Sequence, residues 1–259
     1  MITLKIIMGK YINIKGINTF YKIEGKGEPL ILLHGWGEQA SNHFKFITPL
    51  IKNKYKIIIL DLPGFGKTGK PKKPWNVSDY VDFVTAFVNK LKLKNFNLLG
   101  FSFGGRISIK LASKYGYKIN ETLTSLNKLF LVSSAGIGVE KSEQKNTSFL
   151  FAIFKKIPFL RFIAYKLIYR KSDYYKLRGV MKQTFKNIIN EDLTSELKNI
   201  KTRVIIIWGK EDDITTLKSA RLINKNIKNS HLYVINGIGH FGFLKYKARE
   251  IAKIILQST

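Results

Sequence analysis

The chain has 259 residues, a formal net charge of +28 at pH 7 and no cysteine. That length suits one α/β domain with an inserted subdomain. The missing cysteines exclude a disulfide framework, a thiolate metal site and a cysteine nucleophile, and they agree with a cytoplasmic setting. Only 7 of the 45 basic residues are arginine, and the lysines are spread along the whole chain. A nucleic-acid partner is therefore not expected, because bidentate phosphate and base contacts favour arginine in a local cluster.

The opening "MITLKIIMGK" is too short in its apolar part for a signal peptide. No run of 18 uncharged apolar residues follows anywhere, so no spanning helix is expected. "PLILLHG" (29–35) and "YKIIILDLPG" (55–64) read as strands that end in turns. Tyr80, Val84, Phe87, Val88 and Leu91 share one helical face over 78–93, with Ser78 as the expected N-cap. "FNLLGFS" (96–102) is a buried strand, and "RISIKLASKYG" a helix that Gly116 would stop. "KLFLVSSAG" (128–136), "TRVIIIWG" (202–209) and "HLYVI" (231–235) are further strands, and 243–257 is a closing helix. Continuous apolar strands separated by helices imply a mostly parallel, doubly wound sheet covered on both faces.

Residues 138–199 break this rhythm. They show no strand pattern and are dense in aromatics, among them Phe149, Phe151, Phe154, Phe159, Phe162, Tyr165, Tyr169, Tyr174 and Tyr175. The expected organisation is a core of 1–137 and 200–259 with a helical cap, 138–199, inserted in it. Residues 149–169 also mix Phe, Ile and Leu with Lys and Arg. That mixture leaves a peripheral membrane contact of the cap open, although Pro158 divides the stretch and favours a simple lid.

Ser102 falls where a strand meets a helix, in "GFSFGG" (100–105). A sharp turn there strains the serine backbone and lifts its hydroxyl above the sheet, while Gly100 and Gly104 let strand and helix approach. A serine hydroxyl needs a base to become a nucleophile. His240 lies in "NGIGHFGF", between the last strand and the last helix, at the carboxyl end of the sheet where sites on such folds gather. His43 and His231 read as structural. "WGKEDDIT" supplies an acid at another strand end, and spacing alone does not separate Asp212 from Asp213. The order nucleophile, acid, histidine is that of a hydrolase on this scaffold. Backbone N–H groups of Phe103, at the start of a helix, and Trp36, in the turn after the first buried strand, are the candidate oxyanion donors. The histidines show no ligand spacing, so neither a metal nor a cofactor is expected.

Taken together and in order, "LLHGWG" (32–37), "DLPGFGKT" (61–68), "GFSFGG", "WGKEDD" (208–213) and "GIGH" (237–240) are highly specific. The chain resembles the α/β-hydrolase fold superfamily, in the serine-nucleophile branch with a helical cap between strands six and seven. The resemblance implies that Asp212, three residues beyond Gly209, is the acid. It also implies that His34 and Gly35 form the oxyanion-hole turn, with His34 structural. Dehalogenases and epoxide hydrolases of this fold use an aspartate where this chain has Ser102. The expected activity is that of a cofactor-free serine esterase acting on a small molecule with an apolar portion. Two alternatives are a carbon–carbon bond hydrolase of a dienoic keto acid and a ligand-binding receptor on the same fold. The carbon–carbon hydrolases usually carry a tryptophan after the histidine, where this chain has Phe241.

Overall fold

Along the central strands, successive side chains alternate between two faces, and both faces are buried. Ile31, Leu33, Ile58, Leu60, Leu98, Leu129, Leu131, Ile206 and Trp208 belong to one hydrophobic layer. Leu30, Leu32, Ile57, Ile59, Leu99, Phe130, Val132, Ile205 and Ile207 belong to the other. Such strands need helices on both sides to keep water off them. The computed structural model describes residues 9–37, 40–115, 118–119, 124–138 and 178–258. Gly116, suggested above as a helix stop, and the aromatics of 149–175 lie outside the described residues.

The strands are β1 (Lys10–Ile14), β2 (Ile17–Glu24), β3 (Glu28–Leu33), β4 (Tyr55–Leu60), β5 (Asn95–Phe101), β6 (Lys118–Ile119), β7 (Thr124–Val132), β8 (Arg203–Gly209) and β9 (Ser230–Ile235). They form one sheet in the order β1-β2-β4-β3-β5-β7-β8-β9, with the two-residue β6 paired to β7. From β4 to β9 along this order all pairs are parallel, whereas β1 and β2 join antiparallel at one edge. Helices α1 (Ala40–Phe44), α2 (Thr48–Ile51), α7 (Phe243–Tyr246) and α8 (Ala248–Gln257) pack on one face. Helices α3 (Val77–Lys90), α4 (Phe103–Tyr115) and α6 (Leu217–Asn226) cover the other. The chain leaves β3 toward one neighbour and β5 toward the opposite one, so the loops after these two strands diverge. That divergence opens a crevice at their carboxyl ends.

Several local details differ from the sequence reading. Helix α3 is capped by Asn76, not Ser78: the Asn76 side chain accepts from the Asp79 amide, and Asp79 reaches back to the Asn76 amide. Both groups of that capping box are satisfied, which a start two residues later would forfeit. Strand β7 begins four residues earlier than expected and ends at Val132. Helix α4 begins at Phe103, directly after the serine. The closing helix is two pieces, because Lys247 (φ −112°, ψ 21°) leaves helical geometry between α7 and α8.

The described part of 138–199 is helical, comprising α5 (Val180–Ile189) and a short 3-10 turn at Thr194–Asn199. The buried Arg106 guanidinium of α4 donates to the Ile188 carbonyl at 2.6 Å and to the Glu191 carbonyl. A cation at the carboxyl end of α5 also complements the helix dipole. Lys110 pairs with Glu191, and Trp75 N–H donates to Thr184 Oγ1 at 3.0 Å. Among the described residues, no helix is long and apolar enough to cross a membrane.

Candidate active site

Ser102 sits at the tip of the β5–α4 turn with φ +51°. A non-glycine residue in this left-handed region persists when its surroundings over-determine it. Here the Ser102 amide donates to the Val132 carbonyl at 3.1 Å, and the Ser102 carbonyl accepts from Arg106 and Ala135 amides at 3.2 and 3.0 Å. The neighbouring glycines are required by space. A Cβ on Gly100 would stand 2.5 Å from Ser108 Oγ, and one on Gly104 would stand 2.8 Å from Leu33 Cβ and closer still to the Leu33 carbonyl.

Three chain segments meet at the serine. His240 Nε2 lies 3.1 Å from Ser102 Oγ, and its Nδ1 lies 2.9 Å from Asp212 Oδ2. His240 is buried in the loop after β9, with its ring stacked 5.2 Å from that of Phe101. Asp212 follows β8. Its Oδ1 accepts the amides of Ile214 and Thr215 at 3.0 and 2.8 Å. Burial alone would push its pKa up. The hydrogen bond and charge of His240, with the Thr215 amide, outweigh that and hold it below the ordinary carboxylate value. Asp212 is thus the carboxylate that faces His240.

Thr215 was not singled out from the sequence. Its hydroxyl lies 3.0 Å from Asp212 Oδ2, 3.2 Å from His240 Nδ1 and 3.1 Å from the Ser133 carbonyl. Its own carbonyl accepts the Trp208 indole N–H at 2.6 Å. The signal was present in Asp-x-x-Thr, where an aspartate accepts backbone amides two and three residues on. Thr215→Val keeps the shape and removes the hydroxyl. We expect any turnover that uses the Ser102–His240 pair to fall about five- to tenfold, consistent with loss of one charge-assisted hydrogen bond, and Thr215→Ser to restore it. Steady-state kinetics decide this, and equal loss in both variants would assign Thr215 to packing.

His34 is fully buried, and its partners fix its tautomer. The Leu62 amide donates to Nε2 at 3.0 Å, so Nδ1 carries the proton and donates to the Gly35 carbonyl at 2.7 Å. In a trans peptide the carbonyl and the next N–H point in opposite directions. Anchoring the Gly35 carbonyl therefore fixes the direction of the Trp36 N–H. The Trp36 and Phe103 rings meet edge-to-face at 5.1 Å, and both residues line one cavity with Ser102. As the first residue of α4, Phe103 has no intrahelical acceptor for its amide.

That cavity measures about 540 Å³. Trp36, Phe101, Phe103, Phe185 and Ile188 give it mainly apolar walls. His43, read as structural from the sequence, also lines it and lies 5.3 Å from the Phe101 ring. Burial, with the nearby His34 and His240, pushes the His43 pKa down to about 3. Burial likewise lowers His34. Below pH 6.5 the unfolded chain binds protons at these sites that the folded chain refuses. Stability is therefore lost as pH falls from 6.5 toward 3, by up to about 1.4 kcal/mol per pH unit for His43. His43→Phe should flatten the fall in urea midpoint between pH 7 and pH 5; an unchanged fall would contradict this. His231 lies in edge strand β9 against Tyr233, away from the cavity lining. Among the described residues, no three His, Asp or Glu side chains gather as a metal ligand set.

A family model described as alpha/beta hydrolase fold matches residues 28–157. A pimeloyl-[acyl-carrier protein] methyl ester esterase of Legionella pneumophila (strain Corby) is 30% identical over 86% of this chain and 91% of its own. A 2-hydroxymuconate semialdehyde hydrolase of Pseudomonas sp. (strain CF600) is 23% identical over 93% of this chain and 90% of its own. Among solved structures, an esterase from Exiguobacterium antarcticum superposes with a TM-score of 0.72 at 23% identity, covering 97% of this chain and 99% of that one.

Proposed function

The chain belongs to the α/β-hydrolase fold family, and from that premise we propose that it is a serine hydrolase cleaving an ester or related acyl compound. One observation carries the reading: the unbroken line from Ser102 Oγ through the His240 ring to the Asp212 carboxylate, at 3.1 and 2.9 Å. In this mechanism Ser102 attacks the carbonyl carbon while His240 Nε2 takes its proton. Asp212 holds the proton of His240 on Nδ1 and stabilises the imidazolium that forms. The Trp36 and Phe103 amides receive the developing oxyanion, each contributing about 3 kcal/mol to the transition state. His240 then protonates the leaving alcohol, and water releases the acyl-enzyme by the same steps in reverse roles. No cofactor enters this sequence. The apolar cavity walls suit a substrate with an apolar portion. In this reading 138–199 is the cap, and its described helix α5 already contributes Phe185, Ile188 and Ile189 to the cavity.

A second reading uses the same serine to cleave a carbon–carbon bond in a dienoic keto acid. The likeness to a 2-hydroxymuconate semialdehyde hydrolase favours it. The test is hydrolysis of p-nitrophenyl acetate, butyrate and octanoate by the wild type and Ser102→Ala, with labelling by a fluorophosphonate probe. Turnover and labelling that both vanish in Ser102→Ala are the expected result. Labelling without ester turnover would favour carbon–carbon cleavage, and no labelling would remove Ser102 as nucleophile.

A further inference from the structure

Among the described residues, the cavity lining contains Lys45, Arg106 and Lys245 but no aspartate or glutamate. These three cations are not equivalent. Arg106 is buried and turned toward the Ile188 and Glu191 carbonyls, where its charge already holds α5. Lys45, just after α1, and Lys245, in α7, converge from two elements on one aromatic ring. Lys45 Nζ lies 5.1 Å and Lys245 Nζ 5.9 Å from the centroid of Phe46, which is itself 38% exposed and lines the cavity. Lys245 Nζ also lies 4.9 Å from the Tyr246 ring.

Three lysines elsewhere pair with carboxylates, Lys110 with Glu191, Lys114 with Asp82 and Lys247 with Glu250. Among the described residues no carboxylate pairs with Lys45 or Lys245. Cation–π contacts with Phe46 and Tyr246 hold the two side chains near the rim and leave their ammonium N–H groups, which no described carboxylate engages, open to an incoming acceptor. His43, held neutral by burial, adds no charge beside them. The cavity is therefore chemically divided, with aromatic and aliphatic walls around Ser102 and two cations on its α1–α7 edge.

We propose that Lys45, Phe46 and Lys245 form an anion subsite, and that the substrate carries a carboxylate or phosphate at the end remote from the bond cleaved. This rests on the hydrolase reading above and narrows its substrate class. The anion would meet the two ammonium groups beside Phe46 and Tyr246, and the apolar middle of the substrate would lie along Trp36 and Phe185.

Binding to Ser102→Ala tests the subsite without any turnover, so it stands apart from the fate of the triad. Titration calorimetry would compare monomethyl suberate, octyl phosphate and neutral dimethyl suberate. One of the anionic probes should bind about fivefold or more tighter than the neutral diester, as expected for two partly exposed ion pairs. Whichever anion shows it identifies the head group. Lys45→Gln/Lys245→Gln, added to Ser102→Ala, should erase the preference. Lys225→Gln/Lys228→Gln, at the opposite end of the sheet, should keep it. No preference for either anion, no binding of either, or a preference that survives Lys45→Gln/Lys245→Gln would each overturn the proposal. A preference that the Lys225→Gln/Lys228→Gln control also loses would assign it to the general charge of the chain and overturn the subsite equally.

Discussion

Asp212→Asn should lower kcat for ester hydrolysis at neutral pH by about 10⁴-fold, with the fold intact. The direction follows from how the carboxylate is already committed. Oδ1 accepts two backbone amides, from Ile214 and Thr215, and backbone N–H groups cannot turn round. An asparagine here must keep its carbonyl oxygen at that position. Its NH₂ group then occupies the place of Oδ2, facing His240 Nδ1. A donor facing Nδ1 forces the imidazole proton onto Nε2, the atom that must receive the Ser102 proton. The histidine would stay in place with the wrong tautomer. Stopped or burst kinetics with p-nitrophenyl acetate, together with an unchanged circular dichroism spectrum, would check this. A loss of less than tenfold would mean that Asp212 does not set the His240 proton.

Gly104→Ala should cost stability more than activity chemistry. The added Cβ would stand 2.8 Å from Leu33 Cβ and would collide with the Leu33 carbonyl, which belongs to the middle of the sheet. The Gly104 amide also donates to the His34 carbonyl at 3.0 Å. Neither group can move independently, because β3 is hydrogen-bonded on both sides, to β4 and β5. Helix α4 would have to lift off the sheet, taking the Phe103 amide with it. We expect about 3–5 kcal/mol of destabilisation, of the order that overpacking and broken backbone hydrogen bonds produce. For a chain of this size that is about 10 °C in melting temperature. A shift of less than about 2 °C by calorimetry would show that the helix and strand have room that the geometry denies.

The central strands, the serine turn and the histidine loop were legible because their signals are local and strong, whereas Asp212 was separated from Asp213 by the family resemblance and not by spacing. Continuous apolar runs ending in glycine-rich turns leave few readings. Other features were hidden for identifiable reasons. The β1–β2 hairpin has a two-residue turn at Lys15 and Gly16, both with positive φ. Its strands lie at the sheet edge, where half-exposed side chains dilute the alternation that marks a strand. Helix α6, with Leu217, Ala220 and Ile223 on its inner side, is short and polar overall. Ser78 looked like a cap, but only Asn76 has Asp79 three residues on to close the box. The roles of Thr215 and His43 depend on which segments the sheet brings together. No spacing within "SNHFKF" reveals that Phe101 and the serine turn lie beside it.

Arg106 donates to two main-chain carbonyls at the end of α5. Every residue type carries a carbonyl, so these two bonds place no demand on the side chains at positions 188 and 191. Phe185 and Ile189, which line the cavity outside the buried core, can therefore be exchanged while Met181, Thr184 and Ile188 keep the helix docked. Part of the cavity wall is thus open to exchange, while the Ser102, His240 and Asp212 geometry beside it is not.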